Sequence, residues 1–269
     1  MRNEIIYTAD VLQAINAGRP VVALESTIIA HGMPYPQNLE FAREAEAIAL
    51  TYSAQPATIA ILGGKVCVGL DDGQLEQLAS DPSVGKVATR EIGSTLARKG
   101  NGATTVSATM SLAHAAGIKV FATGGIGGVH RDADKSFDIS ADLIELSRTP
   151  VIVVSAGAKA ILDLPKTLEY LETMSVPVIG YQTDEFPAFY SRKSGLMLSA
   201  RANFAKNIAA TYLAQLEMGI SSGILIANPV PEEFDLPFET MDKHIAIALQ
   251  DAQSEGVEGK ALTPFLLGR

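Results

Sequence analysis

Short Val/Ile-rich runs that are almost continuously apolar most constrain what this chain can fold into. The sequence predicts strands at residues 20–24, 57–62, 118–122, 150–154, 176–181 and 223–227. Runs that lack polar alternation are typical of strands buried on both faces of a parallel sheet. Amphipathic segments alternate with them and predict helices at residues 38–52, 104–116, 138–147, 159–173, 201–218 and 232–255. This alternation indicates an α/β fold with helices on both faces of a largely parallel central sheet.

Composition narrows the class of protein further. The 269 residues are 47% hydrophobic and show no linker-like change in composition, so we expect a single α/β domain over residues 1–269. The net charge of −9 disfavours a nucleic-acid or anionic-membrane binder. Cys67 is the only cysteine, which excludes an intramolecular disulfide, and a buried strand position is predicted for it. No stretch reaches the roughly 20 apolar residues of a membrane span, and we expect a cytoplasmic protein.

Polar residues that directly follow strands are the candidates for chemistry, because ligands of open α/β sheets bind beyond the carboxyl ends of strands. Glu25 follows the first predicted strand. Burial would raise its pKa and make it a general acid, or it hydrogen-bonds neighbouring backbone amides. His31 lies in a predicted polar loop without an evident partner. Lys86 either binds an anionic substrate or is an ordinary surface residue.

A glycine-rich loop at residues 123–131 follows the predicted strand 118–122. It is not a dinucleotide fingerprint, because His130 stands where the third glycine belongs. Its backbone can approach a ligand closely, with His130 and Arg131 as donors, or it is a structural turn. Residues 102–106 predict a helix start, which suits either a phosphate or simple capping.

Two further groups carry possible chemistry. Asp138, Ser140 and Asp142 are predicted on the first turn of a helix, where they would bind a hard divalent ion or sugar hydroxyls. The alternative is that Asp138 caps this helix and Asp142 compensates its dipole. Lys159 is predicted at a helix start, where the dipole favours a free amine for Schiff-base chemistry on a sugar carbonyl. The alternative is a surface lysine.

Taken together, these motifs resemble the pseudouridine-5′-phosphate glycosidase family, which includes the indigoidine-cluster protein of the same fold. The resemblance runs in order from roughly Val21 to the end of the chain. It rests on Leu24-Glu25-Ser26-Thr27, Asn101-Gly102-Ala103-Thr104-Thr105-Val106, the run 122–131, Asp138-Ile139-Ser140-Ala141-Asp142, Ala156-Gly157-Ala158-Lys159, Gly180-Tyr181-Gln182-Thr183 and Thr263-Pro264-Phe265-Leu266-Leu267.

The resemblance implies a three-layer α/β/α sandwich, a homotrimer, a manganese ion (Mn²⁺) and reversible cleavage of pseudouridine 5′-phosphate to uracil and ribose 5-phosphate. By position, it implies Lys159 as nucleophile, Glu25 as proton donor and Asp138 as manganese ligand. The implied substrate-binding residues are Lys86, Val106, Ser140, Ala141, Asp142, Thr123 and His130. Family members continue beyond the Thr-Pro-Phe-Leu-Leu block, so we expect this chain to lack their C-terminal segment.

The chemistry of the residues agrees with this implication. The glycosidic bond of pseudouridine joins two carbons, so protonation of a leaving oxygen is impossible. An imine between Lys159 and C1′ of the opened ribose supplies an electron sink, and Glu25 protonates uracil C5. Two alternatives stay open: another Schiff-base phosphosugar lyase or aldolase, and a catalytically idle phosphosugar-binding protein. A dinucleotide-dependent oxidoreductase ranks last.

Overall fold

The computed structural model describes residues 5–257 and Phe265, and within them the chain alternates strands and helices. The strands are β1 (Ile5–Tyr7), β2 (Val21–Leu24), β3 (Gln55–Leu62), β4 (Lys65–Val68), β5 (Gly85–Val87), β6 (Gly102–Thr104), β7 (Val120–Ala122), β8 (Ile152–Ser155), β9 (Val178–Tyr181), β10 (Ala200–Ala202) and β11 (Ile224–Ala227). The helices are α1 (Ala9–Asn16), α2 (Thr27–His31), α3 (Gln37–Thr51), α4 (Asp72–Ser80), α5 (Thr89–Ala97), α6 (Val106–Ala115), α7 (Ala133–Ser136), α8 (Ala141–Arg148), α9 (Leu164–Thr173), α10 (Ala205–Glu217) and α11 (Phe238–Ser254). A short 3₁₀ turn, Glu232–Phe234, precedes α11.

The chain divides into two compact units. Unit 1 comprises the described residues up to Thr123 together with Ile144–Val153, and unit 2 comprises Gly124–Leu143 together with the described residues from Val154 onward. Strand β8 therefore contributes its first half to unit 1 and its second half to unit 2. The single-domain interpretation of residues 1–269 stays a prediction.

Unit 1 is organised around β2 and β3. Its strands follow the order β1-β4-β3-β2-β7, and β6 also pairs with β3 and with β5. The pairs β2–β3, β2–β7, β1–β4 and β5–β6 are parallel, whereas β3 runs antiparallel to β4 and β6. Ile59 and Ile61 on β3 are fully buried, as expected for a strand without polar alternation.

Unit 2 is built on a row of four strands with β10 at its edge. Its order is β8-β11-β9-β10, and the pairs β11–β9 and β9–β10 are parallel. All four residues of β11 are buried, and Phe186 is fully buried beyond the end of β9. The fold-class prediction, a mostly parallel sheet with helices on both sides, is confirmed.

Several local predictions are corrected. Residues 102–104 form strand β6 rather than a helix start, because they pair with β3 and β5. Helix α8 begins at Ala141, so Asp138 does not cap it. Helix α9 begins at Leu164, five residues after Lys159, and His31 ends helix α2 rather than lying in a loop. None of the helices in the described part of the chain is long and apolar enough to cross a membrane.

Candidate active site

Glu25 and Thr123 occupy equivalent positions on adjacent parallel strands of unit 1. Leu24, the last residue of β2, is in register with Ala122, the last residue of β7. The next residue on each strand is therefore brought to the same edge of the sheet. There the Thr123 hydroxyl donates a hydrogen bond of 2.5 Å to Glu25 Oε1. A hydroxyl thus holds the carboxyl group that the sequence singles out as a general acid.

A network of buried hydroxyl groups fixes the backbone just after Glu25. The hydroxyls of Ser26 and Thr104 each donate to the carbonyl oxygen of Ile59 at 2.7 Å. The Thr104 amide donates to Ser26 Oγ at 2.8 Å, and Thr104 Oγ1 lies 2.9 Å from Thr109 Oγ1. Ser26, Thr104 and Thr109 are all completely buried. Sequence reasoning missed this network, and the only signal was a serine beside Glu25 and the Thr104-Thr105 pair at the end of β6.

Lys86 and His31 are neighbours in unit 1. Lys86 lies on β5, in register with Ala103 of β6, and is half-buried rather than fully solvent-exposed. Burial lowers the pKa of His31, and the charge of Lys86 lowers it further, against the opposing effect of hydrogen bonding to the backbone at Gly85 and Val84. Within residues 5–257, His31 Nε2 is a buried atom without a hydrogen-bond partner.

Val106 is the first residue of α6 and is buried. Thr105 precedes it as the N-cap residue but makes no side-chain capping bond, and its hydroxyl lies 3.0 Å from Ser107 Oγ instead. Capping by Thr105 therefore does not explain the hydroxyl residues here. The anion-binding alternative for the start of this helix is favoured but stays a prediction.

The run Ser140–Asp142 packs directly on the glycine-rich loop of unit 2. The Gly127 amide donates to Asp142 Oδ2 at 2.8 Å, and the Ser140 amide donates to the carbonyl oxygen of Gly128 at 3.0 Å. A Cβ atom on Gly127 would collide with Ser140 and lie 2.7 Å from Asp142 Oδ2. Asp142 is buried, and Ala141 begins α8 between the two polar residues. Glycine is therefore required at position 127, because only a residue without a side chain lets Ser140 and Asp142 lie this close to the loop backbone.

Asp138 and His130 lie side by side at the other end of this loop. The His130 amide donates to the carbonyl oxygen of Asp138 at 3.1 Å, and His130 Nε2 lies 3.8 Å from Asp138 Oδ2. The Asp138 side chain is about half exposed. Among the described residues no three His, Cys, Asp or Glu side chains cluster as a metal site. The arrangement offers a hard oxygen ligand with an imidazole nearby, rather than an enclosed metal centre.

Lys159 lies in an irregular segment that is hydrogen-bonded to the glycine-rich loop 123–131. The Ile126 amide donates to the carbonyl oxygen of Gly157, and the Lys159 amide donates to that of Ile126, both at 3.0 Å. Gly157 has a φ of +89°, and a Cβ there would collide with the carbonyl oxygen of Pro187. Asp163 caps α9 through the Lys166 amide. Lys159 therefore does not lie at the start of a helix, and the helix dipole expected to act on its amine is not next to it. Its position after a buried strand is as predicted.

The predicted residues thus form local groups, each inside one unit. In unit 1 the structure brings together Glu25 with Thr123 and, separately, Lys86 with His31. In unit 2, Ser140 and Asp142 meet the loop that also carries His130, and the backbone of Lys159 joins that loop at Ile126. Of the Thr263–Leu267 block, only Phe265 lies among the described residues.

Several known proteins are similar to this chain. A pseudouridine-5′-phosphate glycosidase of Caldanaerobacter subterraneus subsp. tengcongensis is 55% identical over 99% of this chain and 87% of its own length. One of Deinococcus radiodurans is 54% identical over 97% of this chain and 83% of its own.

Two solved structures are also similar. The prealnumycin C-glycosynthase AlnA, in complex with ribulose 5-phosphate, has a TM-score of 0.91 and 38% identity, over 100% of this chain and 87% of its own. An indigoidine synthase A (IdgA)-like protein of Thermotoga maritima has a TM-score of 0.87 and 38% identity, over 98% of this chain and 85% of its own. The model of the family described as indigoidine synthase A like protein matches residues 10–269. This chain belongs to the indigoidine synthase A-like family.

Proposed function

We propose that this protein is a pseudouridine-5′-phosphate glycosidase, which reversibly cleaves pseudouridine 5′-phosphate with water to uracil and ribose 5-phosphate. Relatives more than 50% identical over nearly the whole chain bear that name. The structural observation that carries the proposal is the carboxyl group of Glu25, held by Thr123 at the carboxyl end of β2. Lys159, four residues after the end of β8, supplies the amine.

The proposed reaction balances with these two side chains and water. The neutral amine of Lys159 attacks C1′, the C1′–O4′ bond breaks, and the proton that the attacking nitrogen loses ends on O4′ as the ribose opens. Glu25 then protonates uracil C5, the C1′–C5 bond breaks, and the nitrogen lone pair forms the C1′=N bond. Water hydrolyses this imine, which releases ribose 5-phosphate and restores the amine. We propose degradation as the physiological direction.

Thr123 has a more specific role than the substrate contact that the family resemblance implies. Its hydroxyl fixes the plane of the Glu25 carboxyl group by donating to Oε1. Fixed geometry matters because a general acid has to lie within hydrogen-bonding reach of the carbon that it protonates. We assign Thr123 as a positioning residue for Glu25.

The remaining predicted residues are proposed to bind the phosphosugar. Lys86 supplies a cation, and the helix start at Val106 supplies backbone donors, both suited to a phosphate. Ser140, Ala141 and Asp142 offer hydroxyl, backbone and carboxylate groups to sugar hydroxyls. Gly127 holds the Asp142 carboxylate at 2.8 Å, so its orientation is fixed before a ligand arrives. His130 adds an imidazole at the end of the same loop.

Asp138 is the proposed ligand of one Mn²⁺ ion per subunit. Its half-exposed carboxylate and the adjacent His130 fit an ion that keeps most of its water, because no larger cluster of ligands surrounds them within residues 5–257. Such an ion supplies positive charge close to a phosphosugar. Titration of Asp138→Asn and the native protein with Mn²⁺, followed by water-proton relaxation, tests the assignment: equal binding would refute it.

We further propose a cytoplasmic homotrimer. The large apolar side chains of Leu213, Met218 and Ile220, on and just after α10, are exposed and offer apolar surface for self-association. Light scattering after gel filtration measures the oligomeric state. A monomer at micromolar concentration would contradict the trimer.

Uracil release from pseudouridine 5′-phosphate tests the function itself. We expect release by the native protein and a loss of at least about 1000-fold in Lys159→Ala, since a covalent route is removed. Glu25→Gln should release little uracil, while the exposed controls Lys135→Ala and Glu40→Gln should be unchanged. No release by the native protein, with ribose 5-phosphate still bound, would refute the proposal.

A second candidate is carbon–carbon bond formation with a different acceptor. It is favoured by one observation, the similarity to a C-glycosynthase solved with ribulose 5-phosphate. Incubation with ribose 5-phosphate and either uracil or a carbon acceptor other than uracil separates the two. Product from the other acceptor alone would favour this second candidate.

A further inference from the structure

Arg131 ends the glycine-rich loop of unit 2 and joins two other segments of that unit. Its guanidinium donates to Asp242 Oδ1 at 2.7 Å and to the carbonyl oxygen of Ala160 at 3.4 Å. Asp242 lies on α11, and Ala160 is the residue after Lys159. The donor that the sequence offers to a ligand is thus engaged with the protein itself.

The hydrogen bond from Arg131 to Ala160 adds to two others that hold the backbone around Lys159. On one side the Lys159 amide donates to the carbonyl oxygen of Ile126, and the Leu162 amide donates to the carbonyl oxygen of Lys159, both at 3.0 Å. On the other side Arg131 binds the next carbonyl group along the chain. The segment has no helical hydrogen-bond ladder of its own, because α9 begins only at Leu164. Its geometry therefore depends on these bonds.

Asp242 holds the guanidinium of Arg131 in place. The side chains of Arg131 and Asp242 are 33% and 44% exposed, so the pair is partly shielded from water. The same nitrogen of the Arg131 guanidinium donates to the Asp242 carboxylate and to the Ala160 carbonyl group. With both bonds formed, the guanidinium has little rotational freedom left. Loss of either partner frees the carbonyl of Ala160.

We propose that Arg131 and Asp242 act together as positioning residues for Lys159. Helix α11, which carries Asp242, thereby helps to fix the position of the nucleophilic amine. This inference rests on the proposed function. Covalent attack is sensitive to placement, and a shift of about 1 Å in a reacting group lowers rates by up to about 100-fold. The pair touches neither substrate nor reacting atoms in this assignment.

The test follows imine formation from ribose 5-phosphate, the reverse of the final hydrolysis step, separately from binding. Native protein, Asp242→Asn and Arg131→Met are mixed with saturating ribose 5-phosphate, and the adduct is trapped with borohydride at timed intervals and measured by intact mass. We expect both variants to form the adduct about 10- to 100-fold more slowly. Their dissociation constants for ribose 5-phosphate, measured by calorimetry with borohydride absent, should stay within about threefold of the native value.

Three further variants distinguish positioning from a general loss of structure. The double variant should be no slower than the slower single variant, because the pair acts as one unit. Arg131→Lys should recover part of the rate. Asp132→Asn, which removes an exposed ion pair with Lys135 beside Arg131, should react at the native rate.

Each outcome bears on the inference. Single variants that form the adduct at the native rate would overturn it, as would rate losses that multiply in the double variant. Variants that lose ribose 5-phosphate binding in parallel with the rate would also overturn it. Native protein that forms no adduct at all would overturn the proposed function instead, since that failure does not depend on Arg131.

Discussion

The hydroxyl of Thr123 lies 2.5 Å from Oε1 of Glu25, one residue beyond two strands that end in register. This relationship follows from sheet geometry, because parallel neighbours that end together place their next residues side by side. It turns a carboxyl group at a strand end into one with a fixed orientation. The account therefore predicts that this contact matters for the protonation of uracil and not for the reaction with the sugar.

Replacement of Thr123 by Val removes the hydroxyl while retaining the branched shape. We expect kcat for uracil release to fall about 10- to 100-fold, which equals about 1.4–2.7 kcal/mol in activation free energy. The rate of borohydride-trapped adduct formation from ribose 5-phosphate should stay native, because forming that imine does not involve the proton transfer between Glu25 and uracil. Thr123→Ser should keep most of the activity. A Thr123→Val enzyme with native kcat would refute the positioning role.

Gly127 tests the packing of the phosphosugar-binding run. In Gly127→Ala the new methyl group would collide with Ser140 and crowd Asp142, so both side chains have to move. We expect the dissociation constant for ribose 5-phosphate, measured by calorimetry, to rise at least about 10-fold, which equals about 1.4 kcal/mol. Gly124→Ala is the matched control in the same loop, since its nearest neighbour would lie at an ordinary 3.7 Å. Equal binding by the two variants would contradict this role for Asp142 and Ser140.

The buried hydroxyl network predicts a stability effect. Ser26→Ala leaves the Thr104 amide without the oxygen that accepts from it at 2.8 Å in a fully buried position. The free energy of unfolding should fall by about 1–3 kcal/mol, as is usual for an unpaired buried donor. Ser94→Ala, an exposed serine bonded only to its own helix, should change it by less than about 0.5 kcal/mol. Urea denaturation measures both, and similar values for the two would count against the network.

His31 predicts how stability depends on pH. Burial, and secondarily the charge of Lys86, lower its pKa in the folded protein, so folding favours the neutral imidazole. The stability associated with neutral His31 is present above the ordinary pKa of 6.5 and is lost as pH falls from there through the lowered folded value. His31→Gln cannot titrate and should lose less unfolding free energy between pH 7.5 and pH 5. Parallel curves for native and variant proteins would show that His31 does not contribute.

The strands β2 and β8 form close to where the sequence predicts them, because the signal there is local and strong. Glu25 and Lys159 were singled out because Glu25 directly follows one apolar run and Lys159 comes shortly after another, and β2 and β8 form at those runs. The loop 123–131 was identifiable from its glycines. A strand without polar alternation is informative about burial and about where a chain leaves the sheet.

The errors have physical causes in contacts between distant residues. Strand β6 exists because Gly102 and Ala103 pair with β3 and β5, and three residues carry too little periodicity to reveal this. The late start of α9 is different, because its signal is local: Asp163 caps the helix and Pro165 follows two residues later. This signal outweighs the apolar pattern around Lys159. The engagement of Arg131 by Asp242, 111 residues away, has no sequence signature.

The central claim is that Lys159 forms an imine with the sugar, and the site of covalent trapping tests it most directly. Native protein and Lys159→Ala are reduced with borohydride in the presence of ribose 5-phosphate, digested, and the peptides sequenced by mass spectrometry. The account predicts a sugar-phosphate adduct on Lys159 of the native protein and none on the variant. An adduct on another lysine, or the same adduct on Lys159→Ala, would contradict it.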